Sequence, residues 1–441
     1  MRRYVMIGSG VASIAASEAI RRVDPRGDIL MIGDEASGYY SRPGLAFYLT
    51  GELPEHHLFP IGDQDYRKLN IRRMRAQVTQ IYPDQHNIRL ENGTILPYDR
   101  LLIAVGATAQ MASLPGIKLD GVVKLDNLDD ARHIIRQARR GRTAVVVGGG
   151  ITALELVEGF VSRRVKTHYF LRGDRYWSNV LDETESRIVE QRLEEDCVKL
   201  HYHTELEEVL GNGGRVVGVR TKDGRKIPCD IVAIAIGIRA RKELAEASGL
   251  EVDRGVLVSE TLQTSAPDVF SAGDVAQVYD PLIGKSVLDS LWTPAREQGN
   301  AAGMNMAGIT TAYRKVIPFN VTRLANLTTT IIGTVGHGED DDVVGIVRGD
   351  SETWRQLPDA IAAQADFEVN RLRVLVGKDT LLGALVMGDQ TLSRPLQHIV
   401  TQQMDISSIR QQLVQPGAPL VDILADFWSQ LKDGHAVTRH E

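Results

Sequence analysis

The chain has 441 residues, a formal net charge of −6 at pH 7, 43% hydrophobic and 24% charged residues. At roughly 150 residues per domain that length anticipates about three domains, or two with insertions, and the acidic balance argues against a nucleic-acid binder, which carries a basic face. Cys197 and Cys229 are too few for a disulfide framework or a four-cysteine cluster and too far apart for a CxxC pair, which fits a reducing cytoplasm.

In chain order, Tyr4-Val5-Met6-Ile7 is a short apolar run stopped by Gly8 and Gly10, too short for a signal peptide. It reads as a buried strand and a glycine-rich turn, followed by a helix over residues 12–22. Ile29-Leu30-Met31-Ile32 then closes a βαβ unit. Residues 78–82, 87–90 and 94–97 read as a three-stranded meander, and residues 101–106 as an apolar strand ending at glycine. The whole pattern then recurs. Ala144-Val145-Val146-Val147 enters Gly148-Gly149-Gly150, a helix covers residues 153–163, and His168-Tyr169-Phe170-Leu171 forms the next strand. A meander at 216–221 and 226–229 and an apolar strand at 231–237 follow. One glycine fingerprint is weak evidence; two in matched strand–turn–helix contexts are strong.

Farther on, residues 268–275 form a short strand that delivers Gly273-Asp274 ahead of a long helical region. From Pro318 the composition changes, with strands at 328–332, 372–376 and 379–387. Leu420, Ile423, Leu424, Phe427, Trp428 and Leu431 make a helical stripe that reads as core or interface. Its polar side holds Asp422 and Asp426, against a membrane-surface role, which needs a basic face. No stretch of about 18 apolar residues spans a membrane. The acidic run Glu339-Asp340-Asp341-Asp342 reads as a solvated loop.

The two turns carry the chemistry. Gly8 and Gly10 allow a pyrophosphate to approach the backbone at a helix N-terminus, with Ser13 in the third fingerprint position. Asp34 and Glu35 stand where an acid accepts from a ribose 2′-hydroxyl, Glu35 being preferred. In the second copy Gly148, Gly150 and Ala153 fill the fingerprint, with Glu155 one turn into the helix. There the strand ends in Leu171 and Arg172, with Arg175 close by; no carboxylate is present, and an arginine suits a 2′-phosphate, so NADH and NADPH stay open. His56-His57 reads as a surface pair, and His201 and His203 as sharing one strand face. Two histidines are too few for zinc, and no metal site is expected. Arg67, Lys68, Arg72, Arg73 and Arg75 form a basic cluster, either a solvated face or a dock for a small acidic electron carrier.

With Gly273-Asp274 in place, the sequence resembles the FAD-dependent pyridine nucleotide-disulfide oxidoreductases, the glutathione reductase superfamily. The resemblance implies an α/β fold: two doubly wound, Rossmann-like nucleotide-binding domains plus a smaller C-terminal α+β domain. It places an FAD domain at 1–115 and 245–318, an NAD(P)H domain at 116–244 and a dimerisation-like domain at 319–441. Asp274 would bond the flavin ribityl chain, with Val78, Ala104, Gly106 and Gly273 also on the FAD side and Ile151 and Gly237 on the NAD(P)H side. Trp292, Ala295 and Gln298-Gly299 resemble the segment beside the flavin. Tyr39-Tyr40-Ser41-Arg42-Pro43-Gly44-Leu45 lacks the family's cysteines and is similar to rubredoxin and ferredoxin reductases and to the nitrite reductase flavin subunit. Arg42 would offset pyrophosphate charge and Pro43 would sit by the isoalloxazine. Without a thiolate, disulfide exchange has no nucleophile. The implied reaction runs from NAD(P)H through FAD to a separate acceptor, in a cytoplasmic homodimer. Ile151 replaces a tyrosine that often covers the flavin, while Glu155 would orient the nicotinamide amide. A flavin subunit of a larger complex, or a slow regulatory flavoprotein, are the alternatives.

Overall fold

A computed structural model describes residues 1–281, 284–335, 361–367 and 370–437. The acidic run at 339–342 lies outside the described residues. The architecture is α/β. The first sheet has five parallel strands in the order Val269–Ser271, Arg100–Ile103, Arg3–Ile7, Asp28–Gly33 and Ile71–Arg75. Its inner strands are covered on both faces, which is why they read as unbroken apolar runs. Chain order reverses direction at Arg3–Ile7, so the turn at Gly8 lies at the switch point where such sheets bind ligands.

Helix Val11–Val23 packs on helix Trp292–Met306. A Cβ on Gly299 or Gly303 would stand 2.2 and 2.4 Å from the carbonyl oxygens of Ala12 and Ala16. These two glycines let the late helix return to the first sheet at backbone contact distance.

The second sheet repeats the design: Lys199–His201, Lys166–Phe170, Thr143–Val147, Ile231–Ile234 and Val122–Val123, all parallel. Each unit carries a three-stranded antiparallel meander, Val78–Tyr82 with Asn87–Leu90 and Ile95–Pro97, and Leu206–Asn212 with Arg215–Thr221 and Lys226–Pro228. Two short antiparallel strands, Ala107–Ala109 and Ile238–Ala240, carry the chain out to the second unit and back. A third, antiparallel sheet follows: Phe319–Leu324, Leu327–Gly333, Leu381–Met387, Asn370–Val376 and Ile361–Phe367. Helix Leu420–Val437 turns its stripe onto this sheet; Leu420, Leu424 and Phe427 are buried with Ile332, Val386 and Ile399. The stripe is core, which removes the membrane-surface reading. No helix among the described residues is long and apolar enough to cross a membrane.

Several expectations need correction. The basic cluster is in part an edge strand, Ile71–Arg75, paired with Asp28–Gly33. Its charges are largely matched: Arg72 bonds Asp28 at 3.0 and 2.7 Å, Arg73 bonds Asp63 at 2.6 Å, and Lys68 meets Asp65 at 3.4 Å. Those pairs favour the solvated-face reading of the cluster. His201 and His203 do not share a face. His201 ends a strand, whereas His203 sits in a turn with φ +48°. The partner of His201 is His168, ring nitrogen to ring nitrogen at 2.9 Å. Gly273-Asp274 is followed by a hairpin, Ala276–Asp280 with Lys285–Leu288, before the helix begins at Trp292.

Candidate functional site: two dinucleotide turns

Strand Arg3–Ile7 hands Gly8 to the first turn at φ +110°. A Cβ there would lie 2.1 Å from the Ala104 carbonyl oxygen, so the next strand crosses where any side chain would be. Gly10 caps helix Val11–Val23 and faces open space, with nothing within 4 Å of a Cβ position. That opening at a helix N-terminus suits an anion. Ser13 is fully buried and its hydroxyl donates to the Gly8 carbonyl at 2.7 Å, so serine braces the turn from the third fingerprint position.

At the end of the second strand, Asp34 is exposed, and its backbone oxygen accepts from Arg75. Glu35 is the held carboxylate: Tyr40 donates to it at 2.8 Å and Arg42 at 2.6 Å. Arg42 also donates to the Asp126 carbonyl. Tyr40 was not singled out in the sequence, because its role depends on a fold that brings Glu35 to it. Pro43 caps the short helix Gly44–Thr50. Val78, the first residue of the meander, is buried in the core with Ile7, Ile32 and Ile103. Gly106 and Gly237 stand at the mouths of the two crossover strands.

Gly273 has φ +81°, and its N–H donates to the Gln298 side chain at 2.8 Å. That bond explains Gln298 beside Gly299. Burial pushes the Asp274 carboxyl up to about 6, with Arg42 pulling the other way. No side chain among the described residues hydrogen-bonds it. A half-buried carboxylate that no described side chain hydrogen-bonds, an open helix N-terminus and a held acid at the second strand end together fit FAD. Trp292 is 40% exposed, and its indole N–H donates to Tyr39 at 3.2 Å.

The second turn copies the first. Gly148 has φ +149° and a Cβ there would stand 2.1 Å from the Ala235 carbonyl oxygen. Gly150 caps helix Ile151–Ser162 and again faces open space. Ile151 and Ala153 are buried in the core of this unit. Burial and the neighbouring Glu158 push the Glu155 carboxyl up to about 8. Glu158 itself is pushed up to about 7 by burial, while Arg323 and two backbone N–H groups of the 325–326 turn work against it. Both carboxyls are thus shifted toward the neutral form. Glu158 has no motif to announce it.

Leu171 fills the position of the missing acid and is 1% exposed. Arg172 is exposed. Arg175 is paired with Asp174 at 3.1 Å, which lowers its value as a second phosphate ligand.

Neither thiol lies in the 39–45 segment. Cys197 is exposed; Cys229 is buried, and burial pushes its thiol up to about 12. A thiol reagent should therefore label native protein rapidly at Cys197 and slowly at Cys229, and leave NAD(P)H-dependent dye reduction intact. Loss of flavin reduction in a Cys197→Ser, Cys229→Ser double variant would contradict a thiol-free reaction. Among the described residues no group of three or more metal-ligating side chains is present.

Known proteins share this plan. The pyridine nucleotide-disulphide oxidoreductase family matches residues 2–299. The biphenyl dioxygenase system ferredoxin–NAD(+) reductase component of Paraburkholderia xenovorans is 31% identical over 357 residues, covering 80% of this chain and 85% of that protein. The NADH-dependent phenylglyoxylate dehydrogenase subunit epsilon of Aromatoleum evansii is 24% identical over 432 residues, covering 97% and 98%. A chain in the crystal structure of the covalent putidaredoxin reductase–putidaredoxin complex superposes with a TM-score of 0.83 at 23% identity, covering 96% of this chain and 98% of that one. With a strand–glycine turn–helix plan used twice and that match over residues 2–299, the chain belongs to the pyridine nucleotide-disulphide oxidoreductase family and is an FAD-dependent NAD(P)H oxidoreductase.

Proposed function

We propose that this protein transfers reducing equivalents from NAD(P)H through FAD to a separate electron carrier of the ferredoxin or rubredoxin kind. The observation that carries the reading is the thiol-free 39–45 segment beside two complete dinucleotide turns. Likeness to a ferredoxin–NAD(+) reductase component supports it. We assign the FAD domain to residues 1–115 and 245–318, the NAD(P)H domain to 116–244 and a dimer-forming domain to 319–441, in a cytoplasmic homodimer.

Bound FAD would accept hydride from the nicotinamide and release its electrons to the carrier. The chain supplies binding and orientation. Gly8 and Gly10 would seat the FAD pyrophosphate on a turn braced by Ser13, Glu35 would take the adenine ribose, Arg42 would offset charge and Asp274 would accept from the ribityl chain. Gly148 and Gly150 would seat NAD(P)H, and Glu155 would bond its carboxamide, which orients the ring for transfer.

The test is reduction of purified ferredoxins and rubredoxins under anaerobic conditions, set against artificial dyes. Turnover with dyes but with no carrier, together with a large assembly on native gel filtration, would favour the second reading, a subunit of a larger redox complex. End-to-end likeness to a dehydrogenase subunit supports that alternative. Very slow turnover with every acceptor would mark a regulatory flavoprotein.

Cofactor choice gives a prediction. With Leu171 in the acid's place, NADPH should be used within about tenfold of NADH. Arg172→Ala should lower kcat/KM for NADPH selectively by about tenfold, a charge-assisted bond weakened by solvent. A wild-type preference for NADH above about a hundredfold, with equal effects of the variant on both, would reduce Arg172 to a surface residue.

A further inference from the structure

Between Gly33 and Ile71 the chain leaves the first sheet and lies against the second unit. Helix Gly44–Thr50 packs on helix Ile151–Ser162, where a Cβ on Gly159 would stand 3.0 Å from Leu49 Cβ. Arg163 Nε donates to the Leu49 carbonyl at 2.8 Å. Tyr40 is buried with Leu128, Val146 and Leu154 of the second unit, yet its hydroxyl reaches back to Glu35.

The bonds at that hydroxyl run in one direction. Leu128 opens helix Leu128–Gln137, so its N–H has no acceptor within the helix. Tyr40 Oη accepts it at 3.1 Å, and the Tyr40 proton then goes to Glu35 Oε2 at 2.8 Å. Arg42 makes a parallel bridge: Nη2 donates to Glu35 Oε1 at 2.6 Å, and Nη1 donates to the Asp126 carbonyl. Glu35 is thus tied twice to residues 126–128 of the second unit. Each of its carboxylate oxygens keeps a lone pair for a ribose hydroxyl.

Asp126 carries the tie onward. Its side chain is 8% exposed, and the carboxylate accepts from Thr108 Oγ1 at 2.8 Å, Ala109 N at 3.3 Å and Arg241 Nη2 at 3.1 Å. Thr108 and Ala109 lie on the strand that leaves for the second unit, and Arg241 follows the strand that returns. Lys124 adds a bond at 3.0 Å. Burial would push this carboxyl up, but Thr108, Lys124 and Arg241 outweigh it and hold it below the usual carboxylate range. One ionised side chain therefore grips both crossings between the units.

We propose that Tyr40 and Asp126 are positioning residues of a clasp that locks the second unit against the first when FAD occupies Glu35. The clasp rests on Glu35 holding the adenine ribose, as read above. A ribose hydroxyl on Glu35 fixes that side chain, and the bonds already on it pass the order to residues 126–128 and to the two crossings. A ligand that orders a shared element lowers the ordering cost of the next step. Here that step is the meeting of nicotinamide and flavin.

The experiment has two arms. The first compares hydrogen exchange of residues 126–131 in apoprotein and FAD-loaded protein. FAD should slow exchange there about fivefold in wild type, the worth of one hydrogen bond, and by less than about twofold in Tyr40→Phe. The second arm follows flavin reduction by stopped flow, per bound FAD. Tyr40→Phe keeps the buried ring and loses only the hydroxyl; Asp126→Asn serves where that variant is unstable. The limiting rate at saturating NAD(P)H should fall about tenfold to a hundredfold, with half-saturation within about twofold of wild type. Oxidation of the reduced flavin by dye should keep its wild-type rate, because it does not use the second unit. A wild-type limiting rate in the variant, or no FAD-linked slowing at 126–131 in wild type, would overturn the clasp. So would a raised half-saturation with an unchanged limiting rate. Glu35→Gln separates the failures: if it retains FAD as wild type does, the ribose assignment fails first.

Discussion

Gly148→Ala should yield a folded yellow protein whose flavin NAD(P)H reduces at least about a hundredfold more slowly than in wild type. At φ +149° a side chain is strained, and the added Cβ would stand 2.1 Å from the Ala235 carbonyl oxygen. Backbone on both sides of that clash belongs to the second sheet, through Thr143–Val147 and Ile231–Ile234. The turn itself must move. Strain of about 1–3 kcal/mol is the smaller consequence. Displacing Gly149 and Gly150 by about 1 Å misplaces the nicotinamide, and a misplacement of that size costs about a hundredfold in rate. FAD content should stay near that of wild type, because Gly8 and its neighbours belong to the other sheet. Gly8→Ala is the mirror experiment. Its Cβ would stand 2.1 Å from the Ala104 carbonyl oxygen at φ +110°, so this variant should lose FAD. Stopped-flow reduction and flavin content measure both. Normal reduction in Gly148→Ala would remove the second turn from NAD(P)H binding.

The turns were legible in the sequence because their demands are local. A strand buried on both faces must be apolar throughout, and the residue after it must leave room for a crossing carbonyl. The two meanders and the final helix were legible for similar reasons, each showing its own period of burial. What escaped was set by partners far along the chain. Arg72 and Arg73 read only as members of a basic cluster, yet they lie on an edge strand and are matched by Asp28 and Asp63. His201 took its meaning from His168 on the neighbouring strand. Arg371 and Arg373 alternate with apolar residues as solvent-facing arginines would, but they are 2 and 3% exposed.

Those last two arginines support the second large effect: Arg373→Ala should cost about 3–5 kcal/mol of stability, as breaking a buried ion pair does. Arg373 grips Glu185 with Nε at 2.7 Å and Nη2 at 3.0 Å, and it also donates to the Val180 and Val335 carbonyls at 2.8 and 2.7 Å. Glu185 is fully buried. It completes a capping box with Asp182 at the start of helix Glu183–Glu195, and Arg371 holds Asp182 at 2.7 Å. Loss of Arg373 leaves that buried carboxylate to the longer contact with Arg371, whose Nε stands 3.6 Å away. Burial would push the Asp182 carboxyl up, but the Glu185 amide and the Arg371 guanidinium outweigh it and hold it below the usual carboxylate range. A carboxyl lowered on folding contributes stability at neutral pH that is lost as pH falls through its folded value. Arg371→Ala should therefore reduce stability most at neutral pH, with the difference from wild type shrinking in acid. The exposed pair Arg72–Asp28 has similar geometry, with Arg72 side-chain exposure of 60%, so Arg72→Ala should cost less than about 1 kcal/mol. Urea unfolding of the three variants measures the contrast. If Arg373→Ala proves no more costly than Arg72→Ala, the buried arginines do not hold the third sheet to the nucleotide-binding unit that contains Glu185.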